Sequence, residues 1–115
     1  MPAKLIAFDT HDNKSSGREA FEKSLEKVGW VNFIVRNDKY IKLPDTTLVA
    51  NRTVKQTLRD IKAAQKKAKD KDDSFELKKC IVTNYSGRFA IDSDKKDADK
   101  SQIVLYRIAM SGMLP

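Results

Sequence analysis

The sequence predicts an α+β domain, because short β-type runs alternate with two segments of helical periodicity. Along the chain the predicted elements run β-α-β-β-α-β, followed by extra strand sequence. Two helices separated by a β-hairpin, with a strand at each end, form the ferredoxin-like order, in which both helices cover one face of an antiparallel sheet. The 115 residues, 40% of them hydrophobic, suffice for one modest core. We therefore expect a single domain with a core over residues 3–91, a charged linker over 92–101 and a C-terminal strand over 102–110.

The first strand and the first helix carry clear local signals. Residues 3–8 form the first predicted strand, and its apolar run Leu5-Ile6-Ala7-Phe8 is typical of a central, buried strand. The segment Ser16-Gly17-Arg18-Glu19 is a capping-box pattern, which predicts that a helix begins at Ser16. Gly29 suits the position just after the helix. The apolar face of this helix consists of Phe21, Leu25 and Val28.

β-type sequence fills the stretch between the two helices. Residues 31–43 alternate apolar and polar side chains, with Asn37-Asp38 as a turn or a bulge. The pattern leaves open whether this stretch is one bent strand or two short ones. Pro44-Asp45 interrupts it, and residues 46–50 form a further β-branched run.

The second helix begins with another capping-box pattern, Thr53-Val54-Lys55-Gln56. Its apolar positions are Val54, Leu58 and Ile61, continued more weakly by Ala64 and Ala68. After it we expect a strand over residues 75–83, a hairpin partner over 88–91 and a final strand over 103–108.

Charge points to a polyanionic partner. The chain has 23 Lys and Arg against 16 Asp and Glu, a net charge of +7. Basic residues recur along the second helix at spacings of four, three, four and three, which places them on one narrow strip about 110° from the predicted apolar face. Phosphates could bind along this strip; the alternative is a solvated helix face. The strip consists of Lys55, Arg59, Lys62, Lys66 and Lys69.

A second candidate site lies at the end of the first strand, where Asp9, His11 and Asp12 stand close together in sequence. Carboxylates are ligands suited to Mg²⁺, and His11, the single histidine, could act as a general acid or base. The alternative is that these residues only form a turn. Because one carboxylate makes a poor metal site, Asp9 would have to meet its copy in a homodimer. A second subunit would also cover the face of the central strand that the helices leave open.

The remaining reactive side chains favour structural roles. Cys80 is the only cysteine, which fits a cytoplasmic protein without disulfides, and it lies in an apolar run that favours core packing. Tyr40, Tyr85 and Tyr106 could stack on bases, although packing is the simpler interpretation. No apolar stretch is long enough for a signal peptide or a membrane span.

Two segments carry a family resemblance. Residues 5–9, Leu-Ile-Ala-Phe-Asp, then a polar loop and a helix ending in Val28-Gly29-Trp30, resemble the opening of the small CRISPR-associated Cas-two-type proteins and the VapD-type toxins. Residues 43–49 and 53–58 are similar to the hairpin and second helix of the same group. The likeness covers roughly residues 3–83.

The resemblance implies a ferredoxin-like dimer. In that family an aspartate ending the first strand faces its two-fold mate and is assigned metal-dependent cleavage of RNA or DNA; only Asp9 matches this position. Other members act as nucleic-acid-binding structural subunits. Two hypotheses follow: a magnesium-dependent endoribonuclease that uses Asp9, or a non-catalytic nucleic-acid-binding or scaffold protein. A third interpretation is a protein-interaction domain that is charged only for solubility.

Overall fold

The computed structural model describes residues 3–85 and 96–112 of the chain. Within these ranges the chain forms two antiparallel sheets and three helices, which confirms the α+β class. The elements are β1 (Ala3–His11), α1 (Ser16–Lys27), β2 (Phe33–Arg36), β3 (Lys39–Lys42), β4 (Thr47–Ala50), α2 (Val54–Lys71), β5 (Glu76–Tyr85), β6 (Lys96–Asp97) and α3 (Lys100–Ser111).

β1 is the central strand of the first sheet, as its apolar run predicted. The strand order is β4-β1-β5, and both neighbours are antiparallel to β1, with Leu5 opposite Val49 on one side and Thr83 on the other. A ferredoxin-like sheet has a fourth strand beside β4. Among the described residues, a single β-bridge between Val31 and Val49 occupies the position of that fourth strand. The ferredoxin-like order is therefore not confirmed.

The chain that follows Val31 forms a second sheet, of order β2-β3-β6. Asn37 and Asp38 both adopt positive φ, 52° and 60°, which is the conformation of a tight two-residue hairpin turn. This turn settles the open question over residues 31–43 in favour of two short strands. Residues 96–97 of the predicted linker pair with β3. The rest of that linker before residue 96, and the predicted hairpin partner at 88–91, lie outside the described residues.

The predicted C-terminal strand is wrong: residues 100–111 form helix α3. The Asp99 carboxylate accepts from the Gln102 backbone N–H at 2.8 Å, and the Gln102 side chain accepts from the Asp99 N–H at 3.0 Å. Gly112 ends the helix in the left-handed conformation at φ 69°. A short apolar run such as Ile103-Val104-Leu105 fits strand and helix equally well, so these caps decide the structure.

The two faces of the first sheet have different covers. Ile6 and Phe8 pack against α1 and α2, whereas Leu5 and Val49 pack against the second sheet and α3. The cover that the sequence suggested would come from a second subunit is thus supplied, around Leu5 and Val49, by the same chain. Further along this face, the β5 residue Ile81 is 65% exposed.

Helix α2 is rotated relative to the predicted face. Val54 and Leu58, predicted to be apolar core positions, are 57% and 59% exposed. The buried residues are Thr57, Asp60, Ile61, Ala64 and Ala68. The rotation brings Asp60 into the core, where it accepts hydrogen bonds from Arg52 and Trp30.

Asp60 lies in a buried polar network. Its carboxylate accepts two hydrogen bonds from Arg52, from Nε at 2.8 Å and from Nη2 at 2.9 Å, and a third from the Trp30 indole N–H at 3.0 Å. Trp30 is fully buried in the core of the first sheet. The network therefore fixes α2 to the segment before β2 and to the loop before α2.

Candidate nucleic-acid interface

The basic strip consists of Lys55, Arg59, Lys62, Lys66 and Lys69, and all five residues are exposed, as predicted. At 100° per residue, the centre of the strip lies roughly 160° from the centre of the buried face of α2. The rotation of α2 has therefore moved the strip further from the core than the sequence pattern suggested, almost directly outward. The strip runs along the outer side of the helix layer.

The charge of this surface is strongly positive. Helix α2 contains seven basic and two acidic residues, a net +5 of the chain's +7. One of the acidic residues, Asp60, is buried against Arg52. Among the described residues, none of the five side chains of the basic strip forms a salt bridge. The strip is thus a row of cations able to bind phosphates and release counterions.

The N-terminal cap of α2 is formed as the sequence predicted. The Thr53 hydroxyl accepts from the Gln56 N–H at 3.0 Å, and the Gln56 side chain accepts from the Thr53 N–H at 2.9 Å. The cap begins the helix two residues before Lys55, so the strip lies on a regular helix from its first member onward.

Asp9 and His11 are both exposed near the end of β1. Because Phe8 points into the helix-covered core, strand alternation places Asp9 on the opposite face of the sheet. A bulge follows Asp9, which pairs with Lys79, and His11 lies opposite Glu76. Within one chain, Asp9 and the basic strip therefore lie on opposite sides of the first sheet.

Asp12 has a structural role. Its carboxylate accepts from the Arg18 N–H at 2.9 Å and so caps α1. Ser15 occupies the cap position and makes no side-chain cap hydrogen bond, so the predicted capping box beginning at Ser16 is wrong. The sequence pattern missed this cap because Asp12 lies six residues before the N–H that it binds.

Asp72 fastens the loop between β1 and α1 to the end of α2. Its carboxylate accepts from the Lys14 N–H at 3.2 Å, from the Ser74 N–H at 3.0 Å and from the Ser74 hydroxyl at 2.6 Å. The hydrogen bond from the Ser74 side chain is the main cause that lowers the pKa of Asp72. The loop that follows the Asp9 strand end is therefore held in place by hydrogen bonds.

The described residues of one chain do not form a complete magnesium site. Among residues 3–85 and 96–112, no three His, Cys, Asp or Glu side chains are grouped closely enough to hold a metal ion. Asp9 supplies one carboxylate, and the carboxylate of Asp12 is bound to the start of α1. A metal at Asp9 would need ligands beyond those that the described residues of one chain group together.

Cys80 and the tyrosines take packing positions. Cys80 is half-buried against the first core, and burial raises its thiol pKa, which disfavours the reactive thiolate. The rings of Tyr40 and Phe33 pack with their centroids 5.0 Å apart. Tyr85 and Tyr106 pack against the second core, and burial is the main cause that raises the pKa of Tyr85 to about 12.

The sequence pattern missed a second set of basic residues. Lys67 and Lys71 of α2 lie outside the basic strip and line a groove with Lys23 and Lys27 of α1. The signal was present as two Lys pairs, each four residues apart, but their meeting depends on how the helices pack.

Comparison of the chain with protein-family models, with curated proteins and with solved structures finds no match. In the part of the chain that the structure describes, none of the helices has the length and apolar character needed to cross a bilayer.

Proposed function

We propose that this chain is a nucleic-acid-binding protein whose interface includes the basic strip of α2. The observation that carries the proposal is the row of five exposed cations, which lies nearly opposite the buried face of the helix and forms no salt bridge within the described residues. Phosphate contacts of this kind give binding that depends strongly on salt and weakly on sequence.

Charge reversal tests this proposal. We expect K62E/K66E to weaken the binding of a labelled 20-nucleotide RNA and of the matching DNA, measured by fluorescence anisotropy. The matched control is K100E/R107E, which changes the net charge equally on exposed positions of α3, on the other side of the first sheet. Equal binding by K62E/K66E and the control would contradict the proposal, as would no binding by the unmodified chain.

Metal-dependent cleavage is a second candidate function, supported by the exposure of Asp9 at a bulge near the end of the central strand. We propose that it uses a homodimer, because the described residues of one chain group too few metal ligands around Asp9. The test is incubation of labelled RNA with Mg²⁺, with a chelator, and with Asp9→Asn in place of the unmodified chain. Cleavage that is lost in both controls supports an endoribonuclease. Binding without cleavage leaves the non-catalytic nucleic-acid-binding or scaffold protein.

Three further proposals accompany the function. We propose that the first sheet is a ferredoxin-like sheet shortened at one edge, which is supported by the central position of β1 and by the Val31–Val49 bridge where a fourth strand would pair. We also propose a cytoplasmic location, since Cys80 is the only cysteine. We further propose a homodimer, in which Asp9 and its copy would bind the metal together. Light scattering coupled to size exclusion tests the homodimer: a mass of 13.1 kDa would contradict the dimer.

A further inference from the structure

A groove of about 390 Å³ lies between α1 and α2, on the outer side of the helix layer. Small side chains of α1, at positions 16, 20 and 24, keep the groove open along that helix. Exposed lysines form both of its walls, Lys23 and Lys27 on α1 and Lys67 and Lys71 on α2. We call this feature the lysine groove.

The charges on α1 are sorted between its two flanks. Lys23 and Lys27 line the lysine groove, where Glu19 is the one acidic residue among those that the structure describes. Glu22 and Glu26 line a different cavity, on the side of α1 that faces β4 and the loop before it. Burial and the neighbouring Glu22 carboxylate raise the pKa of Glu26, and the positive charge of Lys23 partly offsets this rise. The groove thus has four cations against one anion.

Among the described residues, none of the four groove lysines forms a salt bridge. Around α2, the groove lysines and the basic strip together cover roughly 200° of the helix circumference by the 100° rotation per residue. A polyanion that contacts the basic strip therefore has a second row of cations on the same helix and a facing row on α1.

We infer that the lysine groove receives a single strand of nucleic acid, whose phosphates lie between the two rows of lysines. This inference rests on the proposed function and extends its interface from one helix to two. The groove encloses only about 390 Å³ between lysines of two neighbouring helices, which suits one sugar-phosphate backbone and is too small for a duplex. Among the described residues, no aromatic side chain lines the groove for base stacking, so we expect recognition through phosphates with little base preference.

Neutralising the α1 wall tests the inference. K23Q/K27Q removes two positive charges, and K100Q/R107Q removes two at exposed positions of α3 as the matched control. For a single-stranded 20-mer titrated between 50 and 300 mM KCl, the slope of log K against log salt is negative. Each lost phosphate contact makes this slope less steep by about 0.7. We expect K23Q/K27Q to make the slope less steep by about 1.4 and to weaken the affinity at 0.1 M salt by roughly 10- to 30-fold. We expect the control to stay within about twofold of the unmodified chain.

A steric variant separates occupancy of the groove from a distant electrostatic effect. Ser24→Trp keeps every charge and places a bulky ring where Ser24 lines the groove, and the two residues have similar helix propensities. We expect it to weaken single-strand binding as well, with an unchanged circular dichroism spectrum.

The outcomes are distinct. If the unmodified chain binds neither RNA nor DNA, the proposed function itself fails. If it binds, and S24W binds as tightly as the unmodified chain, the strand does not occupy the groove and only this inference fails, whether or not K23Q/K27Q weakens binding. A competition with ATP gives a further outcome. If ATP displaces the strand at concentrations near the strand's own Kd, the groove is a site for free nucleotides and the inference is overturned.

Discussion

Removal of the Asp60 carboxylate should be among the most damaging single changes to this fold. The side chains of Asp60 and Arg52 are 3% and 2% exposed, and they are joined by two hydrogen bonds of 2.8 and 2.9 Å. Asp60→Ala leaves the Arg52 guanidinium in the core without this carboxylate, and it also deprives the Trp30 indole of its acceptor.

The size of the effect follows from these losses. Breaking a buried ion pair by removing one partner costs about 3–5 kcal/mol. A hydrogen bond to a charged acceptor, such as that from Trp30, contributes about 1.5–3 kcal/mol, and the two terms are not fully additive. We expect Asp60→Ala to lower the free energy of unfolding by about 4–6 kcal/mol. A chain of this length has a stability of roughly 6–17 kcal/mol, so the variant loses a large fraction of it.

Urea unfolding at 25 °C measures the change, followed by the fluorescence of Trp30, the only tryptophan, and by circular dichroism. Glu22→Ala is the control, because its ion pair with Arg18 is exposed on one helix face and contributes only about 0.5 kcal/mol or less. If Asp60→Ala does not fold, R52M/D60L tests the same reasoning. An apolar replacement of both partners should be far more stable than the single variant. The reasoning is refuted if Asp60→Ala unfolds at the same urea concentration as Glu22→Ala.

Three further predictions concern a helix cap and two titrating groups. Thr53→Ala removes the cap of α2 and should lower the free energy of unfolding by about 1 kcal/mol in the same urea assay; an unchanged midpoint would argue against the cap. Because hydrogen bonds lower the pKa of Asp72, its carboxylate stabilises the fold above the ordinary Asp pKa, and this contribution disappears as pH falls through the lowered value. Asp72→Ala should therefore lose less stability on acidification than the unmodified chain, whereas the variant of its exposed neighbour, Asp73→Ala, should behave like the unmodified chain. Because the pKa of Tyr85 is raised to about 12, its neutral form stabilises the fold, and that contribution is lost as pH rises from about 10 through 12. Tyr85→Phe should remove one late-titrating phenol from the absorbance titration at 295 nm, and an unchanged titration would contradict the assignment.

Local signals were reliable where both partners of an interaction lie within one turn. The Thr53 capping box, the central strand β1 and the helix end at Gly29 all follow from short-range patterns, and the structure confirms each of them. The exposure of the basic strip was also predictable, because its spacing is a property of one helix.

The predictions failed for two different reasons: one cap is formed from across a loop, and one local cap flanks an apolar run that fits either a strand or a helix. Asp12, rather than Ser16, caps α1 from across a loop. The residues predicted to form a final strand form α3 instead. Asp99 and Gln102 cap the start of this helix and Gly112 its end, around an apolar run that fits a strand or a helix.

The sequence by itself determined that α2 would carry a continuous row of cations, since charge periodicity and capping act within a few residues. The direction in which that row points was decided only by tertiary structure. The Asp60 carboxylate enters the core because Arg52, eight residues away, and Trp30, thirty residues away, meet it there. In the same way, the lysine groove exists only because α1 and α2 pack side by side. A helical pattern records which residues share a face, but the energy of burying a charge depends on partners that only the folded chain brings together.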